Sequence, residues 1–135
     1  SAEVHVAYLI DTGTLVEVLR SVPSRALVRR LTTVATRDRW ASVITVSQLL
    51  IAARAAHNPK LMQDVIRLVA AVKVASFDLI AAQTFAKLRA TLPGDADTDD
   101  LMIAAIALSN DFTLVTRRMH TFQRFPHLRV EDWTV

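Results

Sequence analysis

The sequence has no cysteine, which excludes disulfides and thiolate metal centres. It has only two glycines, Gly13 and Gly94, so a glycine-rich loop cradling phosphates is excluded, and with it the common nucleotide-binding motifs. Four prolines leave few places where a helix must stop. No apolar run approaches the roughly 18 residues that a membrane-spanning helix needs. The first residues, Ser1-Ala2-Glu3-Val4-His5, lack the basic segment and long apolar stretch of a secretory signal, so the cytoplasm is the expected location and no membrane partner is expected.

Against these absences stands a hydrophobic fraction of 52% over 135 residues, enough to bury the core of one ordinary domain covering 1–135. The net charge is +3 and arginine dominates the cations. Arginine's planar fork matches phosphate oxygens, so the basic balance suits a nucleic-acid partner, although many basic domains bind none.

Short apolar runs alternate with helical patterns. Val4 to Ile10 reads as a strand buried on both faces, ending at Asp11. Asp11-Thr12-Gly13-Thr14 supplies helix-start chemistry for a segment with Leu15, Val18 and Leu19 at helical spacing. Pro23 opens a second helix, with Ala26, Leu27 and Leu31 inward and Arg25, Arg29 and Arg30 outward. Ala41–Val46 reads as a strand and Ser47–Ala53 as an apolar helix. Asn58-Pro59 breaks it, a helix follows over Leu61–Val72, and Val72–Ala75 reads as a short strand. Asp78 caps a helix running to about Leu92. Leu101–Leu108 is apolar all round and therefore a buried helix. Thr113–Thr116 and Leu128–Val130 read as late strands, the last at a sheet edge. Strands alternating with helices predict an α/β fold: three layers, α/β/α, around a mainly parallel sheet of four to five strands.

In such sheets ligands gather beyond the carboxyl ends of strands, where strand order reverses. Asp11 follows the first strand, and Thr116-Arg117-Arg118 follows the late one. Asp97-Thr98-Asp99-Asp100 begins the buried helix. Each acid has an ordinary use as a helix cap or dipole partner. One helix needs one cap, however, and four aspartates fall within residues 95–100. Carboxylates converging from separate parts of a chain repel unless a cation lies between them, and oxygen donors without a histidine or cysteine cluster suit Mg²⁺ or Mn²⁺.

The ordered motifs resemble the PIN-domain ribonuclease toxins of bacterial toxin–antitoxin pairs, the VapC type. Tyr8-Leu9-Ile10-Asp11-Thr12 resembles the opening motif, Val43–Leu50 the second, Asp100–Ala107 the third and Leu114–Arg117 the fourth; Thr121–Trp133 resembles the tail. The resemblance implies a Mg²⁺-dependent endoribonuclease, with Mn²⁺ as a possible substitute, that cleaves structured cellular RNA. It also implies a homodimer silenced by a cognate VapB-like antitoxin. Asp11 and Asp100 would be the main metal ligands, Asp97 and Asp99 supplementary ones, and Thr116 an orienting group. Arg117 and Arg118 would hold RNA phosphates. Apolar surface for the partner would come from Leu15–Leu19 and Leu49–Ala53.

The pattern is broken in places. Gln48 stands where the family carries an acid, Thr121 where an acid often precedes the phenylalanine, and Arg118 where Asn or Asp is common. Glutamine keeps one carbonyl oxygen but removes a full negative charge. Two accounts follow: an enzyme with a rearranged ligand set, or a PIN-like module that binds antitoxin or RNA without cleaving.

Overall fold

The alternation of short apolar runs and helices becomes five strands and seven helices in the computed structural model, which describes residues 6–135. The strands are β1 (Tyr8–Ile10), β2 (Arg39–Ser42), β3 (Lys73–Ala75), β4 (Thr113–Val115) and β5 (Val130–Glu131). The helices are α1 (Thr12–Val18), α2 (Arg25–Thr33), α3 (Val43–Ala55), α4 (Pro59–Ala70), α5 (Leu79–Thr91), α6 (Thr98–Ser109) and α7 (Met119–Phe122). The sheet order is β3-β2-β1-β4-β5, with all neighbours parallel. Strand order reverses between β1 and β4. The loops leaving those two strands run to opposite sides and open a crevice there.

Successive strand residues point to opposite faces, and this builds three layers. Leu9 and Leu114 pack with α5, α6, Phe122 and Phe125 on one side. Ile10 and Val115 pack with α1 to α4 and Trp133 on the other. Helix α6 is the most deeply held: Leu101 and Ile103 to Ala107 are all at most 1% exposed, as an apolar surface on every side demands. The expected α/β/α architecture with a central parallel sheet is the observed one. Among the described residues, no helix is long and apolar enough to cross a membrane.

Several boundaries differ from expectation; α4, for one, is Pro59–Ala70 where Leu61–Val72 was expected. The first strand is Tyr8–Ile10; Val4 and His5 lie outside the described residues. Helix α2 starts after Ser24, whose hydroxyl accepts from the Leu27 amide at 3.3 Å, and Pro23 precedes that cap. The second strand was expected over Ala41–Val46 and is Arg39–Ser42. The β-branched run Val43-Ile44-Thr45-Val46 is helical because buried Ser42 caps it, its hydroxyl accepting from the Thr45 amide at 3.0 Å. A satisfied cap and burial outweigh weak β propensity. The final strand falls at Val130–Glu131, slightly later than Leu128–Val130.

Arg30 faces outward as expected but has partners there. Its guanidinium lies 5.2 Å from the Trp133 ring centroid and donates to Glu131 at 2.9 Å, tying α2 to the chain's end while its side chain stays 40% exposed.

Because one hydroxyl decides where β2 ends, Ser42→Ala is expected to destabilise the fold by about 1 kcal/mol, measured by urea denaturation monitored by circular dichroism.

Candidate active site

Asp11 and Asp100 stand 89 positions apart in sequence, yet the crevice between β1 and β4 brings them to one place. Asp11 ends β1, where its Oδ1 caps α1 by accepting from the Thr12 amide at 2.8 Å. Its other oxygen accepts from the Thr116 hydroxyl at 3.0 Å, and Thr116 follows β4 directly. Asp100 lies in the first turn of α6. Taken as whole residues the two aspartates are 3% and 6% exposed, so neither carboxylate depends on water for most of its solvation.

One cation joins them. The Arg118 guanidinium donates to both oxygens of Asp100, at 2.6 and 3.2 Å, and one of its nitrogens lies 3.8 Å from Asp11 Oδ2. Its centre is also 5.0 Å from the Phe122 ring centroid. The Arg118 amide donates to Thr116 Oγ1 at 3.0 Å, which fixes the backbone from which the side chain reaches in. The hydrogen bonds to Asp100 and the charges of Asp100, Asp11 and Asp97 hold the guanidinium above its ordinary pKa, against the effect of burial.

Around this pair the remaining acids divide their tasks. Asp97 is the N-cap of α6, its Oδ1 accepting from the Asp100 amide at 3.1 Å. Asp99 is exposed and accepts from Gln48 Nε2 at 3.0 Å, while Gln48 Oε1 accepts from the Thr12 hydroxyl. Gln48 on α3 therefore bridges α1 to α6 as a neutral amide, using both ends. Thr121 lies on α7, beyond Arg118.

Arg117 turns the other way. It pairs at 3.5 Å with Glu17, a carboxylate only 5% exposed that also accepts from Arg20 at 3.2 Å and from the Ser24 amide at 3.2 Å. Arg118, expected to face RNA together with Arg117, points instead at Asp100. Two contributors were not singled out in the sequence. Thr12 had a signal, as the residue after the strand-ending aspartate. Glu17 had one too, as a lone charge within Leu15-Val16-Glu17-Val18-Leu19.

The donor chemistry suits a hard divalent cation. Buried Asp11 and Asp100 supply two carboxylates, and a positive group already lies against both of them. Among the described residues, no group of three or more His, Cys, Asp or Glu side chains is gathered as a metal cluster. Asp11 and Asp100 are the residues that would hold such an ion.

These features define a class: an α/β protein with an acidic crevice at the switch point of a parallel sheet. Residues 8–126 match the family model of the PIN domain, and the chain belongs to the PIN-domain family. It is 27% identical over 130 residues to the tRNA(fMet)-specific endonuclease VapC of Salmonella typhimurium, covering 93% of this chain and 97% of that protein. The solved VapBC-1 structure from nontypeable Haemophilus influenzae superposes with a TM-score of 0.84 at 26% identity, covering 96% of this chain and all of the other. DNA-bound VapBC from Salmonella typhimurium gives 0.81 at 26% identity, over 96% of this chain and 99% of that one.

Thr116 is fully buried and serves two partners, so Thr116→Val removes a donor to Asp11 and an acceptor for the Arg118 amide without changing shape. Urea unfolding in the presence of EDTA is expected to show a loss of about 1–3 kcal/mol, the penalty for buried polar groups left unpaired.

Proposed function

We propose that the protein is a divalent-metal-dependent endoribonuclease toxin of the VapC type, a single PIN-like unit over 1–135, inhibited by a cognate VapB-like antitoxin. The observation behind this reading is the meeting of Asp11 and Asp100, buried and from separate elements, at one cationic position. Membership of the PIN family and likeness to a curated VapC endonuclease support the same chemistry.

In this proposal Asp11 and Asp100 hold Mg²⁺, or Mn²⁺ in its place. An ion held by these two carboxylates would supply Lewis-acid chemistry for hydrolysis of a phosphodiester of structured cellular RNA. Thr116 fixes the orientation of Asp11 through its hydroxyl, while the Thr12 amide holds the other carboxylate oxygen. Asp97 sets the start of α6 and so the position of Asp100. Asp99 acts through Gln48, keeping that amide facing Thr12. Arg117, half-exposed and paired with Glu17, would meet an RNA phosphate outside the crevice.

For the antitoxin, a groove of about 310 Å³ lies between α1, α3 and α4, lined by Val16, Leu19, Leu49, Ala53, Leu61 and Val65. Its lining is apolar apart from Arg20, and Val16 within it is 46% exposed, which suits an apolar segment of a partner. Both helix regions expected from the sequence to serve partners, including the second copy of a homodimer, border this groove.

A second reading has its own support. Gln48 in place of an acid, and Arg118 on Asp100, both reduce the site's negative charge and favour a PIN-like module that binds antitoxin or RNA without cutting it.

Cleavage of labelled structured RNA in Mg²⁺ or Mn²⁺ separates the two. The nuclease reading expects metal-dependent cleavage by the chain as it stands, reduced about 100-fold or more by Asp100→Asn. Cleavage seen only after Gln48→Glu supports the binding module. No cleavage by either protein, in either metal, overturns the nuclease proposal.

A further inference from the structure

Arg118 is bound as a ligand of the acidic crevice would be. Its guanidinium holds Asp100 by two parallel hydrogen bonds and lies 3.8 Å from Asp11. It thereby sits where the two buried carboxylates demand positive charge. Yet the side chain is not enclosed: it is 48% exposed, while its partners Asp100 and Asp11 are 8% and 4% exposed. The buried groups are the fixed anions, and the cation approaches from the open side. Its backbone is tethered separately, through the amide bonded to Thr116 Oγ1. The ring of Phe122, 5.0 Å away, faces the guanidinium without requiring contact with Asp100.

We propose that Arg118 is a built-in counter-cation which competes with the divalent ion for Asp11 and Asp100, so that metal binding expels its side chain from the crevice. The inference rests on the metal-binding reading above and deepens it. Charge decides the competition. With Arg118 in place, the two carboxylates carry a net charge of −1, and adding a divalent ion brings two cations into contact in a half-buried site. With Arg118 swung outward, the same ion leaves the pair neutral. Both cations need the same carboxylate oxygens, and Asp100 has both of its oxygens committed to Arg118. The chain therefore lowers its own apparent metal affinity, because part of the binding energy is spent in displacing an existing bond. The released guanidinium, always charged and forked, remains at the mouth of the site, where a phosphate of the substrate is its natural next partner.

The test measures metal binding and side-chain release, not catalysis. Mn²⁺ titration by isothermal calorimetry on the EDTA-stripped full chain compares wild type, Arg118→Gln and Arg118→Lys. Arg118→Gln is expected to bind Mn²⁺ about tenfold more tightly, the worth of one charge-assisted contact. Arg118→Lys, which keeps the charge but loses the fork, is expected to fall between. In wild type with ¹⁵N-labelled arginine, the Arg118 guanidinium resonances are expected to be protected from exchange without metal and to lose protection as Mg²⁺ is added. This second measurement stands even if Arg118→Gln does not fold. Equal or weaker Mn²⁺ binding by Arg118→Gln, or guanidinium protection unchanged at saturating Mg²⁺, overturns the proposal while leaving the metal site intact. If neither wild type nor variants bind Mn²⁺, the metal-binding reading fails and the competition falls with it.

Discussion

Two carboxylates that are almost fully buried, within reach of one guanidinium, are the constraint around which this molecule is organised. Burying an unpaired carboxylate is costly, and burying two beside each other is worse. The fold tolerates them because every oxygen is matched: Asp11 by the Thr12 amide and the Thr116 hydroxyl, Asp100 by Arg118 on both sides. Those partners come from α1, from the residue after β4 and from the turn before α7. The sheet order β3-β2-β1-β4-β5 is what places these segments beside one another. A change of strand order would separate the donors from the acids, and the acids could not then remain buried.

A second, smaller network secures the same region from the opposite side of α1. Glu17 gathers Arg20, Arg117 and the Ser24 amide, and the Ser24 hydroxyl donates to the Thr134 carbonyl at 3.1 Å. Arg30, Trp133 and Glu131 close the circuit between α2 and the chain's end. Arg117 and Arg118, adjacent in sequence, thus serve different acids on different faces. Each arginine's partner decides which way the backbone of the turn between them must run. The tail is part of the frame that fixes this turn, not an appendage.

Much of this was legible from the chain. Apolar runs too short for helices, set between capped helical patterns, announced a parallel sheet with covered faces, and Asp11 and Asp100 stood out by position. What escaped did so for identifiable reasons. The run Val43–Val46 carries a strand signature, and only the burial of Ser42 makes it helical; burial is a tertiary fact. Arg30 looked like a solvated arginine and Arg118 like a binder of RNA phosphate, because sequence position gives direction but no partner. Their partners, Glu131 and Asp100, lie 101 and 18 positions away. The cluster Asp97-Thr98-Asp99-Asp100 suggested supplementary ligands beside Asp100. The structure separates them by geometry: one caps, one bridges through Gln48, and one faces the crevice. Consecutive helical residues diverge by about 100°, so adjacent aspartates had no means of sharing one task.

Gln48 and Arg118 belong together in a single electrostatic statement. Relative to a crevice with an acid at 48 and a neutral residue at 118, both shift the local charge toward positive, by two units in all. Gln48 is neutral yet fully used, since an amide can accept from Thr12 and donate to Asp99 at once. A carboxylate in its place would lose the donor and would face Asp99 as a like charge. It would also add a further anion to the acids around Arg118. The two positions lie in one network of acids, so their effects on the crevice are coupled and cannot add as independent sites do. An acid at 48 therefore acts differently with Arg118 present than without it: in the first case it offsets an internal cation, and only in the second does its whole charge remain for an external one.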